Sequence, residues 1–297
     1  MKQINLNEIR SFLQKLGLKI ENWLRLSNFL SILTFDRLLK DYCILFLDSK
    51  TDRFIADTTD NDLVNLILFD KKISSNLLKW VLLFESKFKK VMIEKWVNFV
   101  NLKNDKIYLL PENEFEKLIP NIKKCNDLNL SKFRYSLFEY VSNSEFLVEY
   151  ESLDEIPIHD LSYSWSFATA INFYRVIDDK LKIEILKEFN IPDEFTDVFH
   201  KVLNVLLKVR NTISHNHIIY NFKSNLYRVE FNKLYKSIFR EESNIVKPIN
   251  LHQIIYLVDY LLNWNQCKKE FDLELKELKI NFRGKENLIK ILFGIEF

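Results

Sequence analysis

The chain has 297 residues, 47% hydrophobic and 28% charged, and its 43 basic and 41 acidic residues leave a net charge of only +2. That composition suits a folded globular protein and carries no overall nucleic-acid signature, so any such partner would need a local basic face. With 3 glycines and 5 prolines, there is little room for tight turns or glycine-rich phosphate loops, which argues against a doubly wound nucleotide-binding fold or a large β-barrel and for long helices.

In chain order, the first twenty residues mix charged and apolar side chains at helical spacing and lack a signal-peptide core. Residues 4–47 read as short helices around a turn at Gly17, and SKTDRF at 49–54 is a polar break. Thr59 followed by Asp62 has the form of a helix start, an N-cap with an acid three residues on. From there Leu63, Ile67, Ile73, Leu77, Val81, Phe84 and Phe88 recur at spacings near three and four. One long helix, or two with a kink, is expected over 60–100. Residues 101–129 look looser, punctuated by Pro111, Pro120 and NDLN. The stretch 131–150 reads as a helix, with a short hairpin left open by its aromatics. ESLDEIPIHD at 151–160 is the best internal boundary. Helices are expected at 161–188 and 193–218, the second starting at Pro192–Asp193, then at 223–242 and at 251–264 after Pro248. The tail, 270–295, is charged and then apolar around Gly284.

These elements divide into a helical extension at 1–58, a helical core at 59–245 with an insertion or boundary near 101–160, and a C-terminal helical segment at 246–297 packed on the core. No apolar run reaches the length of a membrane span. Cys43, Cys125 and Cys267 are far apart, without metal or redox spacing, and point to a reducing compartment. The 25 phenylalanines read as core filling between helices.

The run KVLNVLLKVRNTISHNHIIYN, Lys201 to Asn221, carries the candidate chemistry. On a helix advancing about 100° per residue, Val202, Val205, Leu206, Val209 and Ile213 form one apolar face. Asn211 and His215 lie one turn apart on the same polar side. Arg210, Ser214 and His217 form a second cluster beside them. Arg210 and His215 are about 140° apart on a straight helix, so the helix would have to end or bend near His215, the long Arg210 would have to sweep round, or a second copy would have to share the site. These residue types suit metal-independent RNA cleavage. A histidine can take the proton of the substrate's own 2′-hydroxyl or give one to the leaving oxygen. An arginine fork can hold the oxygens of the phosphorane, and an asparagine can orient the phosphate or the histidine. DNA lacks the 2′-hydroxyl. A metal site is disfavoured, because His215 and His217 would point about 160° apart on a helix and no His-Glu-x-x-His pattern exists. The bland alternative is an ion pair at Arg210, a helix crosslink at Asn211 and an ordinary histidine at 215. Glu85, with Lys89 one turn on, reads as a local salt bridge or a support for the catalytic helix. Asp70, beside Lys71 and Lys72, reads as structural, and Asp178 and Asp179 as helix-end or surface acids.

The same run resembles the Abi-like family of bacterial abortive-infection proteins, relatives of AbiD and AbiF, and through it the HEPN superfamily. Family members often read Arg-Asn-x-x-Ala-His-His-x-Arg-Leu-Trp-Asn. Here Arg210, Asn211, His215 and Asn221 are kept, Tyr220 replaces the tryptophan, and Asn216 and Ile218 stand where a second histidine and a second arginine are usual. Upstream, Phe69–Asp70 with Lys71 or Lys72, Glu85 with Lys89, the pair Arg37–Leu38, and Trp165 with Phe173 resemble further family segments. The resemblance extends over 10–225. It implies an all-α, HEPN-like helical bundle with additional N- and C-terminal helices. It also implies a cytoplasmic, dimeric, metal-free endoribonuclease of anti-phage defence, acting on RNA and possessing no cofactor, sometimes with a partner protein or small regulatory RNA. The site it suggests is catalytic Arg210, Asn211 and His215, supported by Glu85, His217 and Asn221, with Lys208 and Lys223 holding the RNA backbone. Some relatives have lost catalysis and serve as RNA- or protein-binding components, which is the alternative reading.

Overall fold

A computed structural model describes residues 5–100, 107, 110–139, 150, 156–240, 247–282, 285 and 288. The chain begins with α1 (Leu6–Lys15), α2 (Trp23–Phe29) and α3 (Phe35–Arg37). The last of these runs on into a π-helical turn (Leu38–Tyr42) and a 3-10 turn (Cys43–Phe46). The turn after α1 uses Gly17 at φ +99°, a left-handed value that glycine takes without steric cost.

The spine is α4 (Asp60–Val100), a single helix of 41 residues. It contains neither glycine nor proline, and nothing interrupts its hydrogen-bond ladder for about 60 Å. Its start is a reciprocal cap. The Thr59 amide donates to Asp62 Oδ2 at 2.7 Å, and the Asp62 amide donates back to Thr59 Oγ1 at 3.3 Å. Lys285 pairs with the same Asp62 carboxylate.

The remaining helices pack around this spine. They are α5 (Glu112–Leu118), α6 (Leu130–Phe138), α7 (Ile158–Ser164), α8 (Phe167–Val176), α9 (Asp179–Glu188), α10 (Phe199–Ser214), α11 (Arg228–Phe239), α12 (Leu251–Leu262) and α13 (Cys267–Asn281). α2, α7, α9, α10, α12 and α13 all lie against α4. A two-residue antiparallel ladder, β1 (Lys223–Ser224) with β2 (Ile249–Asn250), ties the start of α11 to the start of α12. No described helix is long and apolar enough to cross a membrane. The fold is an all-α bundle.

The helix expected over 161–188 is three helices. Ser166 and Asp178 each cap a new start, with side chains accepting from Thr169 N and Lys180 N, so side-chain acceptors at the caps outcompete continuation of the ladder. Pro192–Asp193 opens only a 3-10 turn, and α10 proper begins at Phe199. The expected hairpin or helix at 131–150 is helical through Phe138, its later part lying outside the described residues.

The aromatics fill the core. Phe88 meets Phe84, Phe167, Phe189, Tyr174 and Phe199 at centroid distances of 5.8–6.4 Å, edge to face with Phe167 and Phe199. Near this cluster, burial and the cations Arg175, Lys201 and Lys182 push the His200 imidazole down to about 4 from an ordinary value of about 6.5. His200 is therefore neutral when folded, while the unfolded chain takes up a proton below pH ~6.5. Its stabilisation is complete above that pH and is lost as pH falls toward 4. Urea midpoints should fall over this window more steeply in wild type than in His200→Gln.

Candidate functional site

α10 runs antiparallel to α4. Phe199 meets Phe88 at one end (6.4 Å between ring centroids), and the chain beyond α10 meets Asp70 at the other. Val202, Val205, Leu206, Val209 and Ile213 are all buried, the apolar face that the sequence predicts. The opposite face carries Asn204, Lys208, Asn211 and Thr212 toward solvent.

The helix ends at Ser214 by a paired-bond cap. The Asn216 amide donates to the Ile213 carbonyl at 2.8 Å, and the His217 amide donates to the Thr212 carbonyl at 3.1 Å. His215 is the C-cap, and Asn216 follows in the left-handed region at φ 56°. This is the Schellman arrangement, whose left-handed position accepts glycine best and asparagine next. The departure from the family pattern at Asn216 thus falls where the backbone favours asparagine over histidine. Asn216→Ala should cost about 1 kcal/mol through left-handed strain, whereas Asn216→Gly should stay nearer wild type, as read by urea titration.

Two cations hold this turn from outside. Arg37 Nη2 donates to the Asn216 carbonyl at 2.6 Å, and Lys71 Nζ donates to Asn216 Oδ1 at 2.8 Å. Arg37 is itself braced by Asp41 at 3.2 Å. Below the turn lies Asp70, fully buried. Its Oδ1 accepts the amides of Ile219 (2.8 Å) and Tyr220 (3.0 Å), and its Oδ2 accepts the Tyr42 hydroxyl (2.9 Å). Burial, reinforced by the Asp70 charge, pushes the Tyr42 phenol far up, so it remains a donor. The Tyr220 ring stacks on Tyr42 with centroids 6.0 Å apart, and its hydroxyl donates to the Asp41 carbonyl. The structural role expected of Asp70 is present: its carboxylate holds the chain that follows α10, and Lys71 Nζ stands 3.7 Å from its Oδ2.

The result is an open groove of about 430 Å³ lined by Asn204, Leu207, Lys208, Asn211, Thr212, His215, His217 and Leu226. Because the helix stops before His215, the divergence of His215 and His217 expected on a continuous helix does not arise, and both line the groove. Asn211 joins them. Arg210 stands behind Asn211, its Nη1 donating to Asn211 Oδ1 at 3.3 Å. Its buried Nε has no acceptor among the described residues. Lys208 is part of the wall, with Nζ donating to Ser224 Oγ at 3.2 Å.

Three further sequence candidates lie elsewhere. Lys223 is exposed on β1, paired with Asn250, and Asn221 is exposed beyond the Asp70 clamp. Glu85 is buried on α4, about 22 Å of helical rise from Asp70, with Oε1 paired to Lys89 at 2.8 Å. Lys89 also donates to the Trp165 carbonyl, so Glu85 supports the α4–α7 packing. Asp178 and Asp179 take helix-end duties, the first capping α9 and the second pairing with Lys124 and Lys182. Tyr42, Asn204 and Leu226 are parts of the site or its support that no sequence spacing marked. Among the described residues, no group of three His, Cys, Asp or Glu side chains is placed to hold a metal ion.

The model of the family described as Abi-like protein matches residues 28–221. The chain belongs to the Abi-like family. The match begins at the end of α2 and ends just after the Asp70-bound amides, so the Abi-like region takes in Arg37, Asp70 and the whole groove-forming helix. No curated protein and no solved structure matches the chain. α11, α12 and α13 lie beyond the matched Abi-like region and pack on its spine and its last helix.

Proposed function

We propose that this Abi-like protein is a metal-independent endoribonuclease of the HEPN type that acts in abortive infection. The observation that carries the reading is the convergence of Asn211, His215 and His217 on one open groove, with Arg210 bonded to Asn211 behind them. Bound RNA would lie along the groove with a phosphate beside Asn211 and Lys208. His215 would act as acid or base in 2′-hydroxyl attack. Arg210, released from its long contact with Asn211, would swing its guanidinium onto the phosphorane oxygens. Asn211 would orient the phosphate. Lys223 would extend the backbone contacts outward.

The groove is open on one side and rimmed by Leu226, beside the exposed Tyr227 and Val229. That apolar rim favours a homodimer in which two grooves face each other, as a shared site would require. The same rim would serve a partner protein in the second reading, a non-catalytic RNA- or protein-binding component of a defence system. Cleavage of an end-labelled RNA pool in EDTA, by wild type and by His215→Ala and Arg210→Ala, separates the two readings. Wild-type cleavage leaving 2′,3′-cyclic phosphate ends supports the enzyme. RNA retention without cleavage supports the binding component.

A further inference from the structure

We propose that His217 is a second catalytic histidine, working with His215 as an acid–base pair within one groove. This rests on the ribonuclease reading above and extends it, because the Arg210–Asn211–His215 trio by itself supplies one proton carrier per chain.

Three observations carry the inference. First, the left-handed Asn216 reverses the chain between the two histidines, so both line the groove despite their separation of two residues. Second, His217 is held in place. Its amide is bonded to the Thr212 carbonyl at 3.1 Å, and the residue before it is gripped by Arg37 at 2.6 Å and Lys71 at 2.8 Å. Its backbone is therefore fixed at the end of α10, as a reacting group requires. Third, both residues are exposed, and neither imidazole makes a hydrogen bond or ion pair with the described residues. The groove lining contains no carboxylate. The two imidazoles are thus its candidate proton carriers, beside the cation of Lys208.

The chemistry needs two such groups. One imidazole takes the 2′-hydroxyl proton as the 2′-oxygen attacks phosphorus. The bond from phosphorus to the 5′-oxygen then breaks, and the other group, an imidazolium, gives its proton to that leaving oxygen. The products are a 2′,3′-cyclic phosphate and a 5′-hydroxyl. The net transfer of one proton between the histidines is reversed through solvent before the next turnover.

A leaving-group comparison tests the pair. Wild type, His215→Ala and His217→Ala, matched for thermal stability and for retention of a 2′-O-methylated RNA, are assayed on RNA and on uridine 3′-(4-nitrophenyl phosphate). Nitrophenolate departs without a proton, so loss of the acid is silent on that ester. Each variant should lose about 100-fold or more on RNA. The nitrophenyl ester should restore one variant and not the other, and the restored one lacks the acid. The wild-type pH profile should be bell-shaped, with each variant keeping one limb. Wild-type rates for His217→Ala on RNA, or restoration of both variants or of neither, would overturn the pair while leaving the ribonuclease reading standing. A wild-type protein inert on both substrates would overturn the ribonuclease reading and the pair with it.

Discussion

Asp70→Ala is expected to destabilise the protein by about 3–5 kcal/mol, the range for removing one partner from a buried, charge-assisted network. The carboxylate is fully buried and accepts three hydrogen bonds of 2.8–3.0 Å, from the Ile219 and Tyr220 amides and the Tyr42 hydroxyl. Its removal leaves all three donors without an acceptor and opens a void under the turn. For a chain of this size the melting temperature should drop by about 10 °C. Asp70→Asn keeps the volume and one acceptor oxygen, and it should fall between wild type and alanine. Thermal melts followed by circular dichroism decide the matter. An alanine variant that melts with wild type would show that the Asp70 clamp contributes little to the fold.

The second large effect concerns cleavage rather than folding. His215→Ala should reduce RNA cleavage by about 10²–10⁴-fold, the usual worth of a positioned proton carrier. Arg210→Ala should reduce it by about 10²–10³-fold, the usual worth of one donor aimed at developing charge. Arg210→Lys should not recover the loss, because an ammonium cannot present two parallel donors. His215 is exposed at the cap of α10 and Arg210 is half-buried on its flank with no acceptor on its Nε among the described residues, so circular dichroism and melting should stay close to wild type. Cleavage by both variants at the wild-type rate would remove the assigned roles.

The sequence carried the helical nature of the chain, the span of the spine helix and its Thr59–Asp62 start, because apolar periodicity and capping chemistry are local. The buried face of α10 was readable for the same reason. Asn211 and the cap residue His215 line one groove one turn apart, and that also follows from a local period. The rest of the site is non-local. Whether His217 would face the groove depended on where α10 stops, and the stop is set by the left-handed Asn216 together with Arg37 and Lys71. Asp70, beside Lys71 and Lys72, reads as structural, but local spacing does not say which groups it holds. Beside Lys71, its partners are the Tyr42 hydroxyl and the amides of Ile219 and Tyr220, the last two 149 and 150 positions away. The retained Phe69–Asp70 pair was the only local hint. The local salt bridge of Glu85 with Lys89 was readable from their spacing, and the pair faces α7 rather than the motif. The splitting within 161–188 rests on the Ser166 and Asp178 caps, and apolar periodicity alone does not mark where a serine or aspartate will cap rather than continue a helix.

The bonds that seat the turn after α10 join residues 149, 150 and 179 positions apart. Contacts of such sequence separation close late, since the entropy of a large loop is lost before they return anything. In a nascent chain, α10 can pack on α4 and α8, which precede it, before the turn after it is seated. The groove comes into being only after Ile219 and Tyr220 have emerged and found Asp70. An RNA-cutting activity built this way would stay silent throughout most of its own synthesis, sparing the ribosome and message that produce it.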